Sequence, residues 1–277
     1  MEGNRTEVIS RYESKYLVPS SVVPAMRDYI SAFCSPDRHV DPDGRYVVNN
    51  LYFETPDLRF YNDTRLKRFT RFKPRCRFYG DGSDGFLWLE LKHKVANVTW
   101  KIRRRIPVGG WDDLFMANRF EPGRVEPGLN GARTAARRVK VVESFEDAVI
   151  TFGAAPFLFV KYQREPYVSD VNAYARITFD RQLSYCMAEG SSKLDHGRQY
   201  IYYDDGATAL HVEDESPVLV EIKTETSVPT WVMGMIGRFD LSRRGFSKYC
   251  QAVDHFMCFN RPQARNPAID LSRRLFR

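Results

Sequence analysis

The chain has 277 residues, 43% hydrophobic and 14% aromatic, with 42 basic against 35 acidic residues and a formal net charge of +7. That length and apolar content support one large domain or two small ones with a sizeable core, and exclude a disordered chain. No run approaches the ~18 consecutive apolar residues of a membrane-spanning helix, and the positive balance favours an anionic partner: nucleic acid, polyphosphate, a nucleotide or an anionic surface.

Residues 8–18, VISRYESKYLV, read as a strand. Residues 20–37 open on Ser and Pro signals and carry Val23, Met26, Tyr29, Ile30 and Phe33 at helical spacing. RYVVNNLYFETPD reads as a strand entering a turn at Pro56-Asp57, with Asp57 expected to cap the helix or turn of LRFYNDTRLKR. FTRFKPRCRFYGDG follows, and the turn GDGSDG separates it from FLWLELKHKV, which joins NVTWKIRRRIPV around Ala96-Asn97. From residue 111 the text changes: Trp111, Leu114, Phe115 and Phe120 suggest a short helix, and a Pro-, Gly- and Arg-rich loop holding Arg137 and Arg138 comes next. VESFEDAVITFG reads as another helix. Strands return at PFLFVKYQREPYVSD, ARITFDRQLSYCMA and SPVLVEIKTET, and the chain closes on helical text, PTWVMGMIGRF and FSKYCQAVDHFMCFN. Residues 1–260 are expected to form a single domain and 261–277 a basic tail. Without regular βαβ alternation, the expected class is α+β.

The cysteines, Cys34, Cys76, Cys186, Cys250 and Cys258, are odd in number and form no C-x-x-C pair. That argues against a disulfide framework or a structural zinc site and fits a reducing cytosol. The start, MEGNRTEVIS, lacks the apolar core of a signal peptide. A cytoplasmic protein is therefore expected, able to sit at a membrane only through partner proteins. The histidines make no ligand pattern.

Three segments place charges two apart: Arg75 and Arg77, then Glu90, Lys92 and Lys94, then Lys101, Arg103 and Arg105. Alternate residues of a strand share one face, so the three together present one cationic surface. A single segment of this kind is ordinarily a solvent-facing edge. Glu90–Lys92 and Glu221–Lys223 also admit a plain reading as same-face ion pairs, of little worth at a surface.

The motifs RYESKYLV, NNLYFETPD, RCRFYG, WLELKHK, WKIRRRI, KYQREPY, ARITFD, LVEIKTE and FSKYC occur in that order, from about residue 8 to residue 258. The series resembles the VTC domain, the polyphosphate polymerase domain of the vacuolar transporter chaperone family. That family belongs with CYTH-type triphosphatases to the triphosphate tunnel metalloenzymes. The resemblance implies a closed, antiparallel, eight-stranded β-tunnel with flanking helices, lined by basic side chains. Trp100, Ile102 and Ile106 would then pack outward. By motif match, Arg75, Arg77, Lys92, Lys101, Arg164, Arg176 and Lys248 are expected at catalytic, phosphate-binding positions. Lys15, Arg103 and Lys223 join the phosphate-binding set, and Glu221 and Glu13 are expected to hold a divalent metal, Mn²⁺ or Mg²⁺. Tunnel enzymes often begin E-x-E-x-K, whereas Arg11 stands here in the first acidic position, which argues against a two-metal acidic site.

The activity implied is transfer of the γ-phosphate of ATP to a growing polyphosphate chain. The chain's ionised end would attack, so alignment and charge stabilisation suffice without a nucleophilic side chain. Two alternatives stand beside it. One is a triphosphatase acting on tripolyphosphate or nucleoside triphosphates, with Glu13 or Glu90 as base. The other is a polyphosphate receptor without turnover. A nucleic-acid partner is not expected, since no RRM, KH or helix-turn-helix signature is present.

Overall fold

The computed structural model describes residues 12–80, 85–96, 98–111, 142, 144–172, 174–189, 194, 197–204, 216–225 and 227–259. Arg11, the expected helix beyond Trp111, the loop with Arg137 and Arg138, and the basic tail lie outside the described residues.

Ten antiparallel strands form one sheet: β1 (Tyr12–Pro19), β2 (Cys34–Pro36), β3 (Tyr46–Glu54), β4 (Thr70–Tyr79), β5 (Phe86–Val95), β6 (Val98–Pro107), β7 (Ala155–Ser169), β8 (Ala175–Met187), β9 (Ile201–Tyr202) and β10 (Pro217–Thr224). Eight of them run in the order β1-β10-β8-β7-β3-β4-β5-β6, with β2 beside β7 and β9 beside β8. The expected closed eight-stranded tunnel is corrected in two respects. The sheet has ten strands, and among the described residues β1 and β6 share no ladder. The two ends of the sheet approach through side chains instead: Lys92 of β5, one strand in from the β6 edge, meets Glu13 of the edge strand β1 at 3.2 Å, so the sheet curls around a hollow.

Alternation builds the curl. On β4 and β5, Cys76, Phe78, Leu87, Leu89 and Leu91 are buried on the convex side, while Arg75, Arg77, Glu90 and Lys92 face the hollow. Ile102 and Ile106 pack outward as expected; Trp100 does so only in part, stacking on His93 at 5.0 Å while it also borders the hollow.

The described helices include a 3-10 turn (Ser20–Val22), α1 (Val23–Ile30), α2 (Arg59–Arg65), α3 (Phe145–Phe152), α4 (Thr230–Arg238) and α5 (Lys248–Phe259). α1 and α4 cover the outer faces of β1, β8 and β10 through Val23, Met26, Ile30, Val232 and Met235. α3 and α2 cover β3, β4 and β5 through Phe145, Val149 and Phe60. The helical reading of 20–37 holds to Ile30, but Cys34–Pro36 pairs with Tyr167–Ser169 as a strand. Pro36 cannot donate into a helix, and an edge strand tolerates it. Asp57 does not cap α2. The buried Glu54 carboxylate accepts from the backbone N–H groups of Thr55, Phe60 and Tyr61, and Thr55 Oγ1 accepts from Arg59 N.

Candidate functional site

A cavity of about 1940 Å³ fills the hollow. All twelve expected site residues line it: Glu13, Lys15, Arg75, Arg77, Lys92, Lys101, Arg103, Arg164, Arg176, Glu221, Lys223 and Lys248. Across the whole lining, 17 lysines and arginines face 5 carboxylates. For Arg75, Arg77, Glu90, Lys92, Lys94, Lys101 and Arg103 that position removes the plain solvent-edge reading, because they share a concave space. Arg105 keeps it, exposed and lying over the Phe86 ring at 3.5 Å outside the cavity lining.

One group centres on Glu90, which is 2% exposed. Arg75 donates to its Oε2 through Nε at 2.8 Å, and Lys101 Nζ donates to Oε1 at 2.8 Å. Arg77 Nε lies 3.8 Å from Oε2 and donates to Asn50 Oδ1 at 2.9 Å. Arg75 also donates to the Tyr52 hydroxyl at 3.1 Å. Burial pushes the Glu90 carboxyl up, but Arg75, Arg77 and Lys101 outweigh it and hold the group well below the usual range.

The second group holds three carboxylates. Arg164 grips Asp180 with two bonds of 2.7 Å and reaches Glu221 Oε2 at 3.2 Å. Lys248, at the start of α5, lies 2.7 Å from Glu221 Oε1 and 2.6 Å from Asp180 Oδ2. Lys15 Nζ sits 3.2 Å from Glu221 and 3.2 Å from Glu13, and donates to the Phe246 carbonyl at 3.0 Å. Lys223 stands 3.8 Å from Glu221. Burial raises the Glu221 carboxyl, yet Lys15, Lys248, Lys223 and Arg164 hold it well below its ordinary value. For Glu13, Lys92 is the main cause of a similar depression, with Lys15 and Lys223 adding to it against burial.

Two expected residues stand apart. Arg176 pairs with Asp37 at 2.9 Å, and the Arg103 guanidinium lies over the Trp88 ring at 4.8 Å. Sequence reasoning missed Lys73, Asp180, Arg243 and Arg244. Lys73 shares the parity of Arg75 and Arg77, and Asp180 that of Arg176, so period two could have found both. Nothing local marks Arg243 and Arg244, which line the cavity from the segment before α5. Burial, with Lys92, Lys15 and Arg75 adding repulsion, lowers the Lys73 ammonium to about 8. Burial likewise takes Lys223 to about 8 despite Glu221 and Glu13.

Among the described residues no group of three histidine, cysteine or acidic side chains could cage a metal. Glu13 and Glu221 nevertheless flank one point, now held by the Lys15 ammonium. That donor set fits a hard cation that takes one or two carboxylates and fills its shell with phosphate oxygens and water. Lys15 keeps the Phe246 carbonyl as an alternative acceptor.

The sequence model of the VTC domain matches residues 10–257. No curated protein matches the chain. Similar solved structures include a candidate adenylate cyclase from Bacillus halodurans, at 11% identity and TM-score 0.48, covering 89% of this chain and 96% of that one. Another candidate adenylate cyclase, from Vibrio parahaemolyticus, aligns at 12% identity and TM-score 0.42, covering 90% of this chain and 99% of that one.

Proposed function

The chain belongs to the VTC-domain family, and from that premise we propose that it is a metal-dependent polyphosphate polymerase. It would transfer the γ-phosphate of ATP to a phosphate chain lying in the basic hollow. The observation that carries this reading over hydrolysis is the state of the lumenal carboxylates. A base that orients water works best with a pKa near the operating pH. Glu90 and Glu13 are both held well below the carboxylate range by their cations. Polymerisation asks for no such base, because the attacking phosphate is already ionised.

In this reading Arg75, Arg77 and Lys101 grip phosphoryl oxygens by turning outward from Glu90, which currently shares all three. Guanidinium forks suit two oxygens at once, and lysine supplies a compact point charge. Lys92, Arg103, Arg164, Arg176, Lys223 and Lys248 extend the same positive track. Glu221 and Glu13 would hold the divalent cation, Mn²⁺ or Mg²⁺, whose role when bound is to neutralise charge on the transferring group. The residues 1–260 act as one unit in this proposal, on the cytoplasmic side. Support for a reducing compartment comes from five free cysteines, four of them buried. Among the described residues no helix is long and apolar enough to cross a membrane.

The test is incubation of the purified protein with ATP and Mn²⁺ or Mg²⁺, following ADP, free phosphate and polyphosphate separately. ADP with polyphosphate is the expected result. ADP or tripolyphosphate loss matched by free phosphate replaces the polymerase with a triphosphatase. Tight tripolyphosphate binding without turnover replaces it with a receptor.

A further inference from the structure

On the other side of the same wall, three guanidinium groups converge on one carboxylate. Glu165 of β7 accepts from Arg27 of α1 through Nε at 2.5 Å and Nη2 at 2.9 Å, and from the Tyr167 hydroxyl at 2.8 Å. Arg45, just before β3, approaches only to 3.6 Å, and Arg181 of β8 only to 3.5 Å. Arg45 Nε, Arg181 Nε and Arg181 Nη2 are buried and make no hydrogen bond among the described residues. None of these four side chains lines the cavity.

This arrangement is costly as it stands. Three positive charges share one negative charge in a partly dehydrated place, where like charges repel more strongly than in water. Buried donors without acceptors add their own desolvation cost. Burial and the neighbouring Arg45 and Arg27 weaken the hold of Arg181 on its proton despite Glu165. One further oxyanion would relieve all of these strains together. It would bring two negative charges for the two uncompensated guanidiniums, and acceptors for the orphaned N–H groups.

We propose that Arg27, Arg45 and Arg181 form a second anion site on the convex face, taking a dianionic phosphoryl group. Guanidinium forks recognise such a group in planar, paired contacts. The site is back to back with the lumen: Tyr46 and Arg164, next in sequence to Arg45 and Glu165, line the cavity, and Asp180, next to Arg181, accepts from Arg164. The proposal does not depend on the polymerase reading, since it concerns a face that the reaction does not use.

The experiment is calorimetric titration of the full chain with inorganic phosphate. Wild type is expected to show two classes of site. Arg181→Gln and Arg45→Gln should each weaken the outer class about tenfold or more and leave the inner class intact. Arg77→Ala should do the reverse. In phosphate-free buffer Arg181→Gln should melt no lower than wild type, because it removes repulsion. Circular dichroism checks its fold, and Arg45→Gln serves if it fails. A second arm saturates the lumen with tripolyphosphate: a remaining phosphate site identifies the free ion as occupant, and its loss identifies a chain end. Identical phosphate titrations for wild type, Arg45→Gln and Arg181→Gln overturn the site, as does abolition of all binding by Arg77→Ala. An unchanged inner class in Arg77→Ala counts instead against the lumenal reading alone.

Discussion

The β4–β5–β6 wall and the β1–β10–β8 wall face each other across the hollow and hold charge in opposite ways. The first sets Arg75, Arg77 and Lys101 around the single carboxylate of Glu90, with Lys73 and Lys92 nearby. The second matches Asp180, Glu221 and Glu13 against Arg164, Lys248, Lys15 and Lys223. Surplus cations gain most from an incoming anion, whereas matched cations gain less and lose most when a partner is removed. The first wall is accordingly suited to receiving an anion and the second to holding the fold; the metal ligands belong to the proposed reading of the second wall.

Asp180→Ala gives the sharpest break in this contrast. It leaves Arg164 and Lys248, 8% and 9% exposed, without their best-placed acceptor. Loss of one member of such a buried pair costs about 3–5 kcal/mol, readable by urea unfolding. A loss under about 1 kcal/mol, the level of a surface pair, removes the structural role of the second wall.

Arg77→Ala should act on the other side of the balance. Its guanidinium has Asn50 as firm partner and only a distant Glu90. Tripolyphosphate affinity should fall about 10- to 100-fold, the worth of a charge-assisted contact of roughly 1.5–3 kcal/mol, with little change in the unfolding midpoint. Unchanged affinity means that the surplus charge is not the binding surface.

The pH dependence separates the two walls more gently. Lys73 and Lys223 are lowered to about 8, so their charges fade between pH 7 and 9, and tripolyphosphate affinity should fall over that interval. For stability the sign is opposite. Both folded values lie below the unfolded value near 10.4, so folding is penalised below pH 8 and relieved as pH rises through 8 towards 10.4. Lys73→Met, measured by calorimetry at each pH, should flatten the first-wall part of the affinity change. A profile identical to wild type excludes Lys73 from it.

Lys92→Gln is expected to do least. The Lys92–Glu13 pair joins the two walls, but its side chains are 35% and 26% accessible, and such pairs contribute about 0–1 kcal/mol. Melting should barely move. Amide hydrogen exchange should quicken at β1, whose outer edge lacks a ladder among the described residues. Unchanged exchange there means that the pair does not hold the edges together.

The first wall was legible because its strands are consecutive. The parity of Arg75 with Arg77, of Glu90 with Lys92 and of Lys101 with Arg103 is written in the chain, and a period of two fixes which face each residue joins. The helical spacing of Val23, Met26 and Ile30 likewise marked the face that α1 buries. The motif series carried the family and the twelve lining residues. The second wall was written only in part: Glu13 with Lys15, Glu221 with Lys223 and Arg176 with Asp180 share a parity, but nothing local records which cation each carboxylate meets. Lys15 meets Phe246 across 231 residues, Arg164 meets Glu221 across 57, and Lys248 enters from a helix. The outer arginines were equally silent, since Arg27 and Glu165 are 138 residues apart. Strand periodicity depends on neighbours along the chain, so the sequence alone determined which cations share a face. Coulomb pairing depends on distance through space, so only the curl of the sheet decided which of those cations are matched by a carboxylate and which remain in surplus.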